Sequence, residues 1–254
     1  MRIAVLVKEV PDLEARVSVA EGGARLDVEP KRVLNFFDEI AVEAALKLRE
    51  AHGGEVYAVT AGAGTGVEAV RRALAMGADR ALWVDDPALA DADPLTVARA
   101  LAAAVRREGF DLVIAGKQAT DDEAGLVGPM VAELLGVGCM AGVTELTVEG
   151  DGVRARREAE TGVETLEGAL PLVVTAEKGW HEPRVPQVMG LMKAMRAQVP
   201  KATLAELEVE AVGGLAPVAY RGPARREPVR MIEGEAAQAA AELVRRLREE
   251  AKVL

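Results

Sequence analysis

The sequence is poor in aromatic residues, in cysteine and in histidine. Only 3% of its 254 residues are Phe, Trp or Tyr, so its core has to be built from the aliphatic side chains that dominate the 50% hydrophobic content. A single cysteine, Cys139, excludes a disulfide within the chain, and with no His or acid spaced around it we expect a small core residue. His52 and His181 have no second His or Cys nearby, which argues against a metal site.

An excess of basic charge and a long hydrophobic run are also lacking. The net charge is -10, whereas a nucleic-acid-binding protein would carry a basic surface. The apolar run at residues 3–7 is too short for a signal peptide or a membrane span and predicts the first strand of a domain. We therefore expect a cytoplasmic protein without membrane insertion that does not bind nucleic acid.

Strand and helix patterns alternate through the first half of the chain. Strands are predicted near residues 3–7, 55–60, 81–84 and 112–115, and helices follow from 35, 67 and 94 and after the loop that begins at 116. Four such units predict an α/β fold with a doubly wound, mainly parallel, nucleotide-binding-like sheet.

The second half of the chain does not continue the alternation of strand and helix patterns. Alternating residues in 143–148 and 153–157 predict an added β-hairpin, with arginines on its solvated face, and 178–200 predicts a long surface loop or a loop with a short helix. An extended arm then leads to a helix at 235–252. We predict an α/β domain at 1–200 and a C-terminal arm with its helix at 201–254.

The polar segment 116–126 is the first candidate site. It connects a buried strand to a helix, and such loops lie at the carboxyl ends of parallel strands, where helix amides favour anions. A phosphate-bearing ligand is predicted, although an ordinary polar connection is an equal alternative. The acids at 121–123 favour capping of the next helix over acid–base catalysis. Glycines at 62, 64 and 66 fit neither G-x-G-x-x-G nor a P-loop.

Several stretches together resemble the β subunits of electron-transfer flavoproteins. They are Asn-Phe-Phe-Asp-Glu-Ile-Ala-Val-Glu at 35–43, Ala-Met-Gly-Ala-Asp-Arg at 75–80, Gly-Lys-Gln-Ala-Thr-Asp-Asp at 116–122, and the signature-like segment 160–175. Thr161 departs from that signature, where Gly or an acid is usual. The resemblance covers essentially the whole chain.

The resemblance implies an electron carrier without catalytic residues, one half of a heterodimer whose α subunit holds most of the FAD. It also implies an AMP site in the β subunit. The AMP contacts would be Leu6, Asn35, Phe36, Phe37, Asp38, Ala61, Gly116, Lys117, Gln118, Ala119, Thr120, Asp121, Asp122, Glu123, Ala124, Gly125, Leu126 and Val127. Leu13 and Phe37 would lie near the flavin, although relatives often have an aromatic residue at the first position.

The resemblance further implies partner surfaces. Loop 182–193 would recognise acyl-CoA or other flavin dehydrogenases through Val188 and Met189, a quinone oxidoreductase would accept the electrons, and the C-terminal helix would pack on the α subunit. Alternatively, Val188 and Met189 cover the protein's own core. A nucleotide-binding stress or sensor module remains the alternative function, whereas an adenylating enzyme would need a pyrophosphate motif that the sequence lacks.

Overall fold

The computed structural model describes residues 1–215, 217–224, 226 and 228–254. By contacts the chain forms two compact units, Met1–Tyr220 and Arg221–Leu254. The described residues from 201 to 220 therefore belong with the α/β unit. No helix among the described residues is long and apolar enough to cross a membrane.

Within its described residues, the larger unit contains thirteen strands and five α-helices. In chain order they are β1 (Arg2–Leu6), β2 (Glu9–Pro11), β3 (Val17–Val19), β4 (Leu26–Val28), β5 (Arg32–Leu34), α1 (Phe36–His52), β6 (Glu55–Ala61), α2 (Val67–Met76), β7 (Arg80–Val84), α3 (Pro94–Glu108), β8 (Leu112–Gly116), α4 (Val127–Leu135), β9 (Gly138–Glu149), β10 (Gly152–Ala159), β11 (Gly162–Ala169), β12 (Leu172–Ala176), α5 (Val188–Arg196) and β13 (Lys201–Ala202).

Nine of these strands form one sheet in the order β11-β10-β9-β12-β8-β1-β6-β7-β13. All neighbours from β9 to β13 in that order are parallel, and β9, β10 and β11 form an antiparallel meander at one edge. The chain passes from β1 to β6 on one side and later returns to β8 on the other, so the winding direction reverses at β1. The predicted doubly wound, mainly parallel α/β fold is confirmed.

Helices cover both faces of the sheet, which is why its central strands are apolar on both sides. Ile3 and Val5 pack with Leu46 and Val70 of α1 and α2. Ala4 and Leu6, on the opposite face, belong to the core that α3 and α4 complete. Alternate residues of one strand thus serve two cores.

Two glycines end α1 and bring the chain back to the sheet. Gly53 has φ +72° and donates its N–H to the Arg49 carbonyl at 2.8 Å. Gly54 has φ +109°, and a Cβ there would overlap the backbone of Met1. A side chain at Gly54 would therefore separate the start of β6 from the start of β1.

The meander and Cys139 differ from the sequence prediction. The predicted hairpin is present as β9 and β10, but β11 adds a third strand that was not predicted. Cys139 was expected in the core, and this is wrong: alternation along β9 directs Met140 into the core and Cys139 to the opposite face, where it is exposed. The arginines of β10 are paired with acids on β9 and β11, as at Arg154 and Glu167.

The smaller unit contains one helix, α6 (Ala236–Glu249), within its described residues. Leu243 and Val244 are exposed apolar residues on this helix. Arg245 makes ion pairs with Glu242 and Glu249 at 2.7 and 2.8 Å, a spacing that supports an isolated helix.

Candidate functional site

A cleft of about 460 Å³ opens at the carboxyl ends of β1, β6 and β8. Its volume lies in the usual range for small-ligand pockets. Leu6 lies opposite Val59 in one neighbouring strand and opposite Ala115 in the other, so the three strands end together. Because the winding direction reverses here, this edge is the place where doubly wound sheets bind ligands.

Asn35 shapes the loop that follows β8. Its Nδ2 donates to the Gln118 carbonyl at 2.9 Å and its Oδ1 accepts the Thr120 N–H at 3.1 Å. Asn35 occupies the N-cap position of α1, but its side chain makes no capping hydrogen bond. The amide instead holds a loop that lies more than 80 residues away along the chain.

Asp38 joins the ends of β1 and β8 beneath the cleft. Its Oδ2 accepts the Lys8 N–H at 2.7 Å and its Oδ1 accepts the Gly116 N–H at 3.1 Å. The side chain is buried, and this burial raises the pKa of Asp38 to about 7, against the opposite effect of the hydrogen bonds it accepts. Gly116 touches this carboxylate so closely that a Cβ would overlap it.

Two acids of the loop after β8, Asp121 and Asp122, form ion pairs with Lys8, which lies just beyond the end of β1. Lys8 Nζ lies 2.7 Å from Asp121 and 3.0 Å from Asp122. Asp122 also accepts the Ala124 N–H at 3.0 Å. The prediction that these acids cap the next helix is wrong, because their oxygens face Lys8 and the loop's own backbone, and α4 begins only at Val127.

The glycine loop after β6 is held by carboxylates. Glu9 accepts the Gly66 N–H at 3.0 Å, and Asp85 accepts the Gly64 N–H at 2.9 Å. Both glycines have positive φ angles, +115° and +67°. Since acids already occupy these amides, this loop cannot also offer them to a pyrophosphate, which agrees with its lack of a dinucleotide fingerprint.

Two groups that line the cleft, Arg32 of β5 and the first turn of α4, can attract an anion. Arg32 lines the cleft and makes no ion pair with any described residue. The first turn of α4 has amides without intrahelical acceptors, at Val127 and Gly128, and carries the positive end of the helix dipole. Each of these groups favours a phosphate in the cleft.

Most of the residues assigned to AMP by resemblance line this cleft. They are Leu6, Asn35, Asp38, Ala61, Gly116, Lys117, Gln118, Ala119, Asp121, Asp122, Ala124, Gly125, Leu126 and Val127. Phe36, Phe37, Thr120 and Glu123 lie outside the lining, as does the exposed Leu13. Sequence reasoning missed Lys8, Glu9 and Arg32. The first two lie two and three residues beyond the end of β1, so the rule that ligands bind at strand ends could have found them.

Val188 and Met189 lie in the first turn of α5. They are 72% and 82% exposed. The alternative in which they cover the protein's own core is therefore wrong. Among the described residues no cluster of His, Cys, Asp and Glu is arranged to hold a metal ion.

Comparison with known proteins identifies the family. The sequence profile of the electron transfer flavoprotein domain matches residues 26–207. The chain is 36% identical to the electron transfer flavoprotein subunit beta of Bacillus subtilis, with full coverage of both chains. It is 37% identical to the subunit of that name from Sus scrofa over 98% of this chain and 97% of the relative, and 40% identical to that of Mycobacterium leprae over 82% and 81%. The chain therefore belongs to the electron transfer flavoprotein β-subunit family.

Proposed function

We propose that this chain pairs with an electron transfer flavoprotein α subunit and works as one half of an electron carrier. FAD, held mainly by the α subunit, takes electrons from dehydrogenases and passes them to a quinone-linked acceptor. Family membership supports this role. The arm and α6 are assigned to the contact with the α subunit, since Leu243 and Val244 leave an apolar strip exposed.

AMP is proposed as a structural ligand of the cleft. The observation that carries this assignment is a cleft lined by Arg32 and by the first turn of α4, which both attract a phosphate, next to a glycine loop whose Gly64 and Gly66 amides are occupied by Asp85 and Glu9. Bound AMP would supply no redox chemistry. It would fill the gap between the ends of β1, β6 and β8 and stabilise the folded state by mass action.

The nucleotide assignment predicts what denaturation releases. Unfolding the purified heterodimer should release AMP and FAD in comparable amounts, measured by chromatography and mass spectrometry. Arg32→Gln should lower the AMP content and leave the FAD content unchanged, because it removes the unpaired cation of the cleft. Arg25→Gln is the control, since Arg25 pairs with Asp27 on the β3–β4 hairpin.

Two outcomes would contradict this assignment. Release of NAD would show that the cleft takes a dinucleotide, and release of no nucleotide would show that AMP is not bound. A nucleotide bound by a chain that never acquires flavin with any α subunit would favour the stress or sensor module.

We also propose that loop 182–193 recognises the dehydrogenases and that Leu13 and Phe37 lie toward the flavin. Val188 and Met189 support the first part, because both are highly exposed and apolar. Pro183 and Pro186 restrict the unbound loop, which lowers the entropy lost on docking. Methionine adapts to differently shaped partners.

The double variant Val188→Ala/Met189→Ala should slow electron transfer from a dehydrogenase. Each truncation should cost about 1 to 3 kcal/mol of binding free energy, because less apolar surface is buried in the complex. Steady-state kinetics with the heterodimer as varied substrate measures this, and FAD content, AMP content and the thermal midpoint should stay unchanged. Val163→Ala, at an exposed valine of β11, is the control. Loss of flavin or unfolding of the double variant would mean that the loop is structural.

A further inference from the structure

Arg184, near the start of loop 182–193, forms an ion pair with Glu43, a buried carboxylate of α1. Its Nε lies 2.7 Å from Glu43 Oε2 and its Nη2 lies 2.9 Å from Glu43 Oε1, a two-pronged contact. The backbone N–H of Arg184 donates to the same Oε2 at 3.1 Å. The remaining guanidinium nitrogen, Nη1, donates a hydrogen bond to Glu50 Oε1 at 2.8 Å.

The carboxylate that Arg184 binds is buried. Glu43 is only 2% exposed, and its neighbours along α1, such as Val42 and Ala44, belong to the core. Burial raises the pKa of Glu43, but the hydrogen bonds from Arg184 reverse this, and the net pKa is lowered. The Glu43 carboxylate is therefore charged, and both of its oxygens accept hydrogen bonds from Arg184. Arg184 is held through both its backbone N–H and its side chain.

A second fixed point lies on the far side of the exposed residues. Gly190 packs against α2 so closely that a Cβ would lie 2.6 Å from the Ala75 carbonyl oxygen. Between Arg184 and Gly190 the apolar residues Val185, Val188 and Met189 are all more than 70% exposed. The chain is thus held at both ends; Pro186 is buried between them, whereas Val185, Val188 and Met189 face outward.

We propose that Arg184 is a positioning residue for docking, which fixes the direction in which Val188 and Met189 leave the protein. The inference rests on the proposed role of loop 182–193 in partner recognition. A loop anchored to a core helix pays less ordering entropy when a dehydrogenase binds it. Loss of the ion pair with Glu43 should weaken docking without changing the electron transfer step in the docked complex.

The test separates positioning from stability. In Arg184→Met the heterodimer should keep its FAD and AMP, have a lower thermal midpoint because Glu43 is left buried and unpaired, and show a KM as substrate of an acyl-CoA dehydrogenase about tenfold higher with kcat nearly unchanged. The double variant Arg184→Met/Glu43→Met removes the unpaired charge. Its thermal midpoint should recover, while its KM should stay raised.

Arg184→Lys keeps the positive charge but cannot make the bidentate contact with Glu43. Its KM should therefore lie between those of the wild type and Arg184→Met. Arg154→Met, in an exposed ion pair with Glu167, is the matched control and should change neither quantity. An unchanged KM in Arg184→Met and Arg184→Lys, or a KM that returns to normal in the double variant with the midpoint, would overturn the proposal. If Val188→Ala/Met189→Ala leaves KM unaltered, the docking surface itself is wrong; if that variant raises KM and the Arg184 variants do not, only the positioning role fails.

Discussion

Gly116→Ala is expected to destroy the nucleotide site and to destabilise the protein. The new Cβ would overlap Asp38 Oδ1 and would lie 2.7 Å from the Cβ of Phe37 and 2.9 Å from its carbonyl carbon. All three atoms belong to the first turn of α1, and the two Phe37 atoms, a Cβ and a backbone carbon, cannot rotate away. The strain has to be relieved by separating α1 from the end of β8, at a cost of about 3 kcal/mol on the scale of overpacked cores.

The same separation breaks the hydrogen bond from the Gly116 N–H to Asp38 and moves the loop that begins at Lys117. We expect the variant heterodimer to contain little AMP, measured after denaturation, and to melt at a lower temperature. Gly138→Ala is the control, because Gly138 also lies in a strand of the sheet but has open space around its Cα. Wild-type AMP content in Gly116→Ala would show that the cleft does not depend on this contact.

The central part of the fold could be predicted because its signals are local. Residues 3–7 and 112–115 are continuous apolar runs, as expected for strands that are covered on both faces. β11 was missed because it lies at the edge of the sheet and pairs with β10 alone. Few side chains of its sequence, Gly-Val-Glu-Thr-Leu-Glu-Gly-Ala, are buried, so the sequence shows no regular spacing of apolar residues.

The position of the candidate site could also be predicted, but its internal contacts could not. The loop after β8 follows from the rule that ligands bind at the carboxyl ends of strands. Lys8 meets Asp121 from 113 residues away, and no local pattern connects them. A capping role was inferred for the acids from their nearest helix, whereas the fold supplied a distant cation.

Glu43 illustrates the same limit. By helical spacing it shares the polar face of α1 with Glu39, Lys47 and Glu50, yet it is buried, since Arg184 lies over it from 141 residues away. The helical period predicts which face is apolar in an isolated element. It does not predict that a charged residue from another element will cover part of the polar face.

Asp38 should make stability fall as the pH rises from about 4 to about 7. In the unfolded chain its carboxyl ionises near its ordinary value of 3.8, whereas burial raises the pKa to about 7 in the folded protein. Between these values the folded state holds a proton that the unfolded state has released, so each unit of added pH favours unfolding by about 1.4 kcal/mol from this group alone. Below the lower value and above the higher one the contribution is constant.

Asp38→Asn removes this titration, because the amide does not ionise. The thermal midpoint of the variant heterodimer minus that of the wild type should therefore increase with pH between about 4 and 7 and then level off, by roughly 2 to 4 °C for each kcal/mol. Asp27→Asn, at an exposed carboxylate paired with Arg25, is the control for an Asp-to-Asn substitution away from the cleft. If the difference for Asp38→Asn instead falls with pH, the N–H groups of Lys8 and Gly116 outweigh burial, and Asp38 is held ionised as the clasp between β1 and β8.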